Sequence, residues 1–421
     1  MRILWVKADR LLPVQNGGNI RSYHIARHLA ERHQFTFFSY YGGQKDPGYE
    51  SELAKEFPGS VALCTGKAGL DSWRRAMDYA LHLPKAAPYA ISRFRDPQVA
   101  GQLSEWFRQQ AFDLVVCDFL DAAVNFPEAL TIPTVLFQHN VESEIWRRHA
   151  DNRSGWVRKM AYQLEFSKMQ RYEQSAVRHF HHVIAVSEND RRLMSQWMNA
   201  SHISVVPTGV DLRKFSADLA HTAEQPVVMF VGAMDWMPNV DAVEYFCREI
   251  WPTVLARVPG ARFRVVGRNP VPRVRELATE NVEVTGLVPS VIEHLREAAV
   301  VVVPLRVGGG TRLKIYEAMA MGRAVVSTTV GAEGLDVRPG EDIVLADDAA
   351  KFSESVTTLL LNVAERQRYE KAAAATAAQF DWPAVSAKFE AVLELQLPSA
   401  ASGSMQPSVA LAQNQASVTT G

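Results

Sequence analysis

Short apolar runs, each followed by a loop and then a helical pattern, recur along the whole chain. Ile3–Val6, Phe35–Tyr41, Asp113–Cys117, Thr134–Gln138 and His182–Ser187 form a first series. Val227–Val231, Arg262–Val266, Val282–Thr285, Val300–Val303, Ala324–Ser327 and Asp342–Leu345 form a second, in which three runs stop at Gly232, Gly267 and Gly286. Runs this apolar suit strands buried on both faces, which means parallel sheets covered by helices. Helical spacing begins near Ile20 and near Asp190, and runs over Val240–Arg257 and Leu313–Met321. A break at 212–226 predicts two doubly wound α/β domains, 1–212 and 213–380. A helix at 381–397 follows, then an uncharged Ala/Ser/Gln-rich tail at 398–421 that is expected to be disordered. Ligands of such sheets bind beyond the carboxyl ends of the strands, so the cleft between the domains is the expected site.

A length of 421 residues accommodates these domains. Lys and Arg number 45 against 46 Asp and Glu, a net of −1, which argues against nucleic acid as a partner. The total hides a split. Residues 1–215 carry 27 basic and 22 acidic residues, a net of +5, which leaves 18 and 24, a net of −6. A basic first half suits phosphate or an anionic membrane. Within it, Arg153–His182 interleaves basic and apolar residues. It reads as a long helix with a solvated basic face, or as a peripheral lipid-docking helix.

Cys64, Cys117 and Cys247 lie far apart, which fits a reducing compartment. His179, His181 and His182 lack Cys or carboxylate companions, so no metal site is expected. The apolar run near Met1 is shorter than a signal core, and no stretch approaches the roughly 18 residues of a membrane span. The expected location is the cytoplasm, including the inner face of the membrane.

The chemistry concentrates in Pro304–Gly322. A buried strand ends at Pro304, and Gly308, Gly309 and Gly310 let backbone approach a ligand closely. Thr311 is placed to cap the next helix, whose free N–H groups favour an anion such as diphosphate. Arg312 and Lys314 add positive charge; two apart on a helix, they diverge, and Lys314 is preferred for phosphate. Glu317 can accept two hydrogen bonds from a vicinal diol such as ribose. Together these describe a nucleotide site. His139 ends the run Thr134–Gln138, at a carboxyl edge where a ligand would lie.

This string strongly resembles the C-terminal signature of the family-4 retaining glycosyltransferases of the GT-B fold. The resemblance covers about residues 1–396. It implies two Rossmann-like domains facing each other across a cleft, and sugar transfer from a nucleotide-sugar donor with retention of configuration. It implies no metal or other cofactor, and a glycan or polyprenyl-linked acceptor. By the same resemblance, Glu317 holds the donor ribose, and Gly309, Gly310 and Thr311 lie near diphosphate and sugar. Gly17 and Gly18 match a Gly-Gly turn approaching the donor phosphate. His139 matches an active-site histidine near the reacting sugar.

Ser187-Glu188 and Pro207–Asp211, with Gly209, resemble strand-end and hinge motifs facing the cleft. Gly286–Pro289, with Val288, resembles the nucleobase loop. Phe380-Asp381-Trp382 opens a helix that crosses back to the first domain. Two departures stand out. The family's sugar-contacting glutamate, eight residues before the ribose glutamate, is Gly309 here. The family's Arg and Lys after the first strand of the second domain are missing from Gly232–Asn239, which leaves Arg312, Lys314 and Arg268 to meet the diphosphate. An epimerase of related fold, or a weakened nucleotide-sugar-binding subunit, remains an alternative at this point.

Overall fold

The computed structural model describes residues 1–397 apart from 68–71, 152–155, 219–224 and 309. The predicted tail at 398–421 lies outside the described residues. The first series forms a seven-stranded parallel sheet in the order β3-β2-β1-β4-β5-β6-β7. Its strands are β1 (Arg2–Ala8), β2 (Gln34–Tyr41), β3 (Val61–Cys64), β4 (Leu114–Asp118), β5 (Thr134–Gln138), β6 (His182–Ala185) and β7 (Ile203–Val205). The second series forms a six-stranded parallel sheet in the order β10-β9-β8-β11-β12-β13. These strands are β8 (Val227–Val231), β9 (Arg262–Val266), β10 (Val282–Gly286), β11 (Val300–Val303), β12 (Ala324–Ser327) and β13 (Val344–Leu345). In both sheets the strand order reverses beside the first strand, between β1 and β4 and between β8 and β11. Crevices open at such reversals.

Alternation along β1 shows why both faces must be covered. Ile3 and Trp5 enter one core, and Leu4 and Val6 enter the core on the opposite face. The Trp382–Glu394 helix closes the first of these cores from the far end of the chain. Trp382, Val385, Phe389 and Leu393 repeat at helical spacing and pack with it. The Phe389 ring lies 5.7 Å from Trp5 and 4.9 Å from Phe137, and Trp382 stacks on His24 at 4.7 Å.

Some elements differ from expectation. The helix read over Val240–Arg257 is divided into Met237–Tyr245 and Trp251–Arg257, joined by a wider turn at Phe246–Ile250. Pro252 supplies no N–H and opens the second piece. The run Asp342–Leu345 joins the sheet only at Val344–Leu345; the buried Asp342 instead accepts hydrogen bonds from Arg338 N and Thr376 Oγ1. No described helix is long and apolar enough to cross a membrane.

Candidate functional site

The first-domain wall is built at the β1/β4 reversal. Lys7, one residue before the end of β1, pairs in register with Asp118, the last residue of β4. Asp118 is buried and accepts from three sides: Lys7 Nζ at 3.1 Å, Trp5 Nε1 at 2.9 Å and His139 Nε2 at 2.8 Å. Burial alone would raise the Asp118 carboxyl; Lys7 and His139 outweigh it and hold the group well below the usual carboxylate range. Burial pushes His139 down to about 4, against the pull of Asp118, so the ring is neutral at pH 7. With Nε2–H given to Asp118, Nδ1 is left as an acceptor. Gly18 lies beside that nitrogen, and a Cβ there would stand 3.4 Å from it.

Gly17 and Gly18 are not in a loop. They form the first turn of the Gly17–Arg32 helix, because Asn16 accepts from Asn19 N and caps it earlier than the apolar spacing suggested. One turn on, Arg21 is buried and reaches out of the first domain. It donates to Thr208 Oγ1 at 3.3 Å and to Thr311 Oγ1 at 2.6 Å.

The second-domain wall is built at the β8/β11 reversal. Gly232 and Gly267 end adjacent strands so closely that a Cβ on Gly267 would overlap the Gly232 carbonyl oxygen. A Cβ on Gly232 would strike Asn239 and Lys314. Lys314 Nζ donates to Asn239 Oδ1 at 3.0 Å and lies 4.3 Å from the Phe230 ring centroid. Burial, with Arg312 nearby, lowers Lys314 to about 7. Glu317 lies on the same helix, Leu313–Ala320. Burial raises its carboxyl, opposed by Lys214 and Lys314. Among the described residues its carboxylate has no hydrogen-bond partner.

Thr311 does not cap this helix. The cap position is Arg312, and the Thr311 hydroxyl accepts from Arg21 instead. The three candidate cations separate. Arg312 is buried, donates to the Gly310 carbonyl and lies 5.8 Å from the Trp236 ring centroid, so it shapes its own loop. Arg268 reaches Gln15 across the cleft at 2.5 Å. Lys314 alone of them stands at the Gly232 strand end. Val288 is half-buried against the second-domain core beside the exposed Leu287. Gly209 packs under the Trp382 ring, which leaves no room for a Cβ, rather than joining the cavity wall. Gly309 lies outside the described residues.

A cavity of about 330 Å³ lies where the two walls meet. Lys7, Gly18, Arg21, Asp118 and His139 face Gly310 and Thr311 across it. Asp121 and Glu142 line it too, and burial pushes their carboxyls up, to about 6 and about 8. On one edge Arg148 grips the second domain, donating to both Glu333 carboxylate oxygens at 2.7 Å and to the Gly308 carbonyl at 2.6 Å. Lys7, Arg21, Asp118 and Arg148 were not among the sequence candidates. Lys7 and Asp118 sit at the carboxyl ends of the two strands that flank the reversal, which is the signal that points to them, and Arg21 lies one turn into the helix that follows the first of those strands.

The histidines at 179, 181 and 182 each serve a different neighbour: Pro127 O, Thr134 N and Ser204 Oγ. Among the described residues no group of three or more His, Cys, Asp or Glu is placed to hold a metal ion.

Residues 15–214 match the family model for Glycosyltransferase Family 4, and residues 225–362 match that for Glycosyl transferases group 1. The chain belongs to the family-4 glycosyltransferases. A phosphatidyl-myo-inositol mannosyltransferase of Mycobacterium tuberculosis is 27% identical over 225 residues, 50% of this chain. The match spans 58% of that relative's length. Among solved structures, sucrose-phosphate synthase from Thermosynechococcus elongatus superposes with a TM-score of 0.68 at 15% identity, covering 94% of this chain and 99% of the other. Anabaena HepE (Alr3699), in complex with UDP and glucose, superposes with a TM-score of 0.63 at 16% identity, covering 94% and 99%. This glycosyltransferase-family chain therefore has the GT-B fold of two facing Rossmann-like sheets.

Proposed function

We propose that the protein transfers a glycosyl group from a nucleotide-sugar donor to a hydroxyl of a glycan or lipid-linked acceptor. In this reading configuration is retained and no metal ion takes part. The observation that carries it is the pairing of the unpartnered Glu317 carboxylate with Lys314 on one helix at the β8/β11 reversal. A carboxylate suits the ribose diol, and a cation beside free helix N–H groups suits diphosphate. The UDP complex of the Anabaena structure supports the donor class. The mycobacterial relative's name supports a lipid acceptor.

The bond from the sugar's anomeric carbon to the diphosphate oxygen breaks, and its electron pair leaves with the diphosphate. The acceptor oxygen bonds to that carbon on the same face, and its proton passes to the departing diphosphate oxygen. A two-step route needs a carboxylate nucleophile. Asp118 is unsuited, since it is buried and already holds Lys7, Trp5 and His139. Neutral His139 instead offers Nδ1 to a hydroxyl of the donor sugar.

The test is calorimetric titration against a panel of nucleotide sugars, then NMR of the product's anomeric carbon. Retained configuration supports the proposal, and inversion overturns the mechanism. Tight nucleotide binding without turnover across a broad donor and acceptor panel would favour a binding subunit, the reading that glycine at 309 motivates.

A further inference from the structure

The long Trp156–His179 helix carries a fully buried carboxylate, Glu173, and each of its oxygens accepts two hydrogen bonds. Oε1 accepts from Gln138 Nε2 at 2.7 Å and from Glu142 N at 2.7 Å. Oε2 accepts from Ser143 N at 3.0 Å and from Ser143 Oγ at 2.5 Å. Four donors fill the acceptor positions of an ionised carboxylate, and a protonated one could not take them all. They oppose the burial that by itself raises this carboxyl. The place also suits a negative charge. Glu142 and Ser143 open the Glu142–Asp151 helix, whose first N–H groups favour an anion.

Where the donors sit matters more than how many there are. Gln138 is the last residue of β5, and Glu142 is the first of the next helix. Between them lies only the turn His139-Asn140-Val141. Oε1 alone therefore ties both ends of the turn that presents His139 to the cavity. The far nitrogen of the ring is held separately, by Asp118. What Glu173 holds is the backbone on which the ring pivots, from behind the cavity wall rather than within it.

We propose that Glu173 is a positioning residue, whose carboxylate clamps the 139–141 turn and so sets where His139 presents Nδ1 to the donor sugar. The clamp stands on geometry; its effect on turnover rests on the transferase reading. A misplacement of about 1 Å can cost on the order of a hundredfold in rate.

Steady-state kinetics, calorimetry with a nucleotide sugar and nitrogen NMR of the histidine rings test it on the full chain. Glu173→Leu removes both ties, and kcat should fall on the order of a hundredfold while nucleotide-sugar affinity holds. Glu173→Gln can keep a carbonyl oxygen at the Oε1 position and should lose less than about tenfold. In a His139→Ala background either substitution should change kcat by no more than about twofold, because the residue it acts through is gone. A lower Tm with wild-type kcat, or the same loss of kcat in both backgrounds, makes Glu173 merely structural and overturns the proposal. If Glu173→Leu fails to fold, Gln138→Met decides. It frees one end of the turn, leaves Glu173 its other three donors, and should lower kcat about fivefold; wild-type kcat in that folded variant overturns the clamp. If the wild-type chain binds nucleotide but transfers nothing, the transferase reading falls, and the His139 ring resonances judge the clamp alone. Resonances that move in Gln138→Met uphold it, and resonances that stay overturn it.

Discussion

Arg21 meets Thr311 across the cleft: its Nη2 donates to the threonine Oγ1 at 2.6 Å, while its Nε holds Thr208 in the interdomain segment at 3.3 Å. One buried guanidinium thus ties the helix after β1, the linker and the Gly-rich loop. Burial lowers it only to about 10, so it keeps its charge at neutral pH. It also lines the cavity beside Gly310 and stands where a diphosphate would be drawn.

Arg21→Ala is expected to weaken nucleotide-sugar affinity by about 1.5–3 kcal/mol, the range for charged hydrogen bonds. Arg21→Lys should not restore it, since one ammonium cannot reproduce the fork that spans two threonines. Calorimetry together with a melting curve checks this. Unchanged affinity with a lower Tm would make Arg21 a purely structural tie.

Glu317→Ala should cost about 1.5–3 kcal/mol of nucleotide affinity. Because the carboxylate has no partner in the described residues, little fold stability should go with it. A loss of Tm without a loss of affinity would sink the ribose assignment.

Asp118 and His139 should separate by phenotype. Asp118→Asn removes the countercharge of buried Lys7 and should destabilise the fold by about 3–5 kcal/mol. The Asp118 carboxyl is depressed in the fold, so its contribution is full above the unfolded value of about 4 and is lost as pH falls toward the folded one. The wild-type advantage over Asp118→Asn should therefore shrink in that acidic window, as followed by melting against pH. His139→Ala should instead lower turnover about a hundredfold, by analogy with loss of one transition-state contact, and leave nucleotide affinity nearly intact.

Legibility in the sequence followed burial. Strands such as Val300–Val303 announce themselves because both faces are covered, and the short edge strand Val61–Cys64 went unread for the opposite reason. Glu317 and Lys314 were legible since a Gly-rich turn and its helix lie within one stretch. His139 was read from its place after Thr134–Gln138, but its partners Lys7 and Asp118 come from two other strand ends, and only the register of β1, β4 and β5 brings the three together. Thr311 was misread as a cap because its true partner, Arg21, is 290 residues away. Local spacing carries no trace of such a contact.

Arg148 and Glu333 should act as a coupled latch. Both side chains are about a quarter exposed, 25% and 27%, so water screens the pair. A double-mutant cycle of Arg148→Ala and Glu333→Gln is expected to give a coupling of roughly 1 kcal/mol. Either single variant should widen the average cleft, read as a larger radius of gyration in small-angle scattering that nucleotide sugar reverses.

Donor affinity should depend on pH through Lys314. In the free protein, burial holds this amine at about 7, with Arg312 lowering it further and Glu317 raising it. A diphosphate beside the amine would stabilise its charged form and raise that value. Ligand therefore binds the protonated state. Below pH 7 the proton is already present and affinity is full. Above it, binding must take up a proton, and affinity should fall by up to about tenfold per pH unit until the bound-state value is passed. Calorimetry with a nucleotide sugar from about pH 6 to about pH 9, in two buffers of different ionisation enthalpy, reads both the slope and the proton uptake. Lys314→Met should bind more weakly and show neither. A slope that survives in Lys314→Met would assign the titration to another group and remove Lys314 from the diphosphate site.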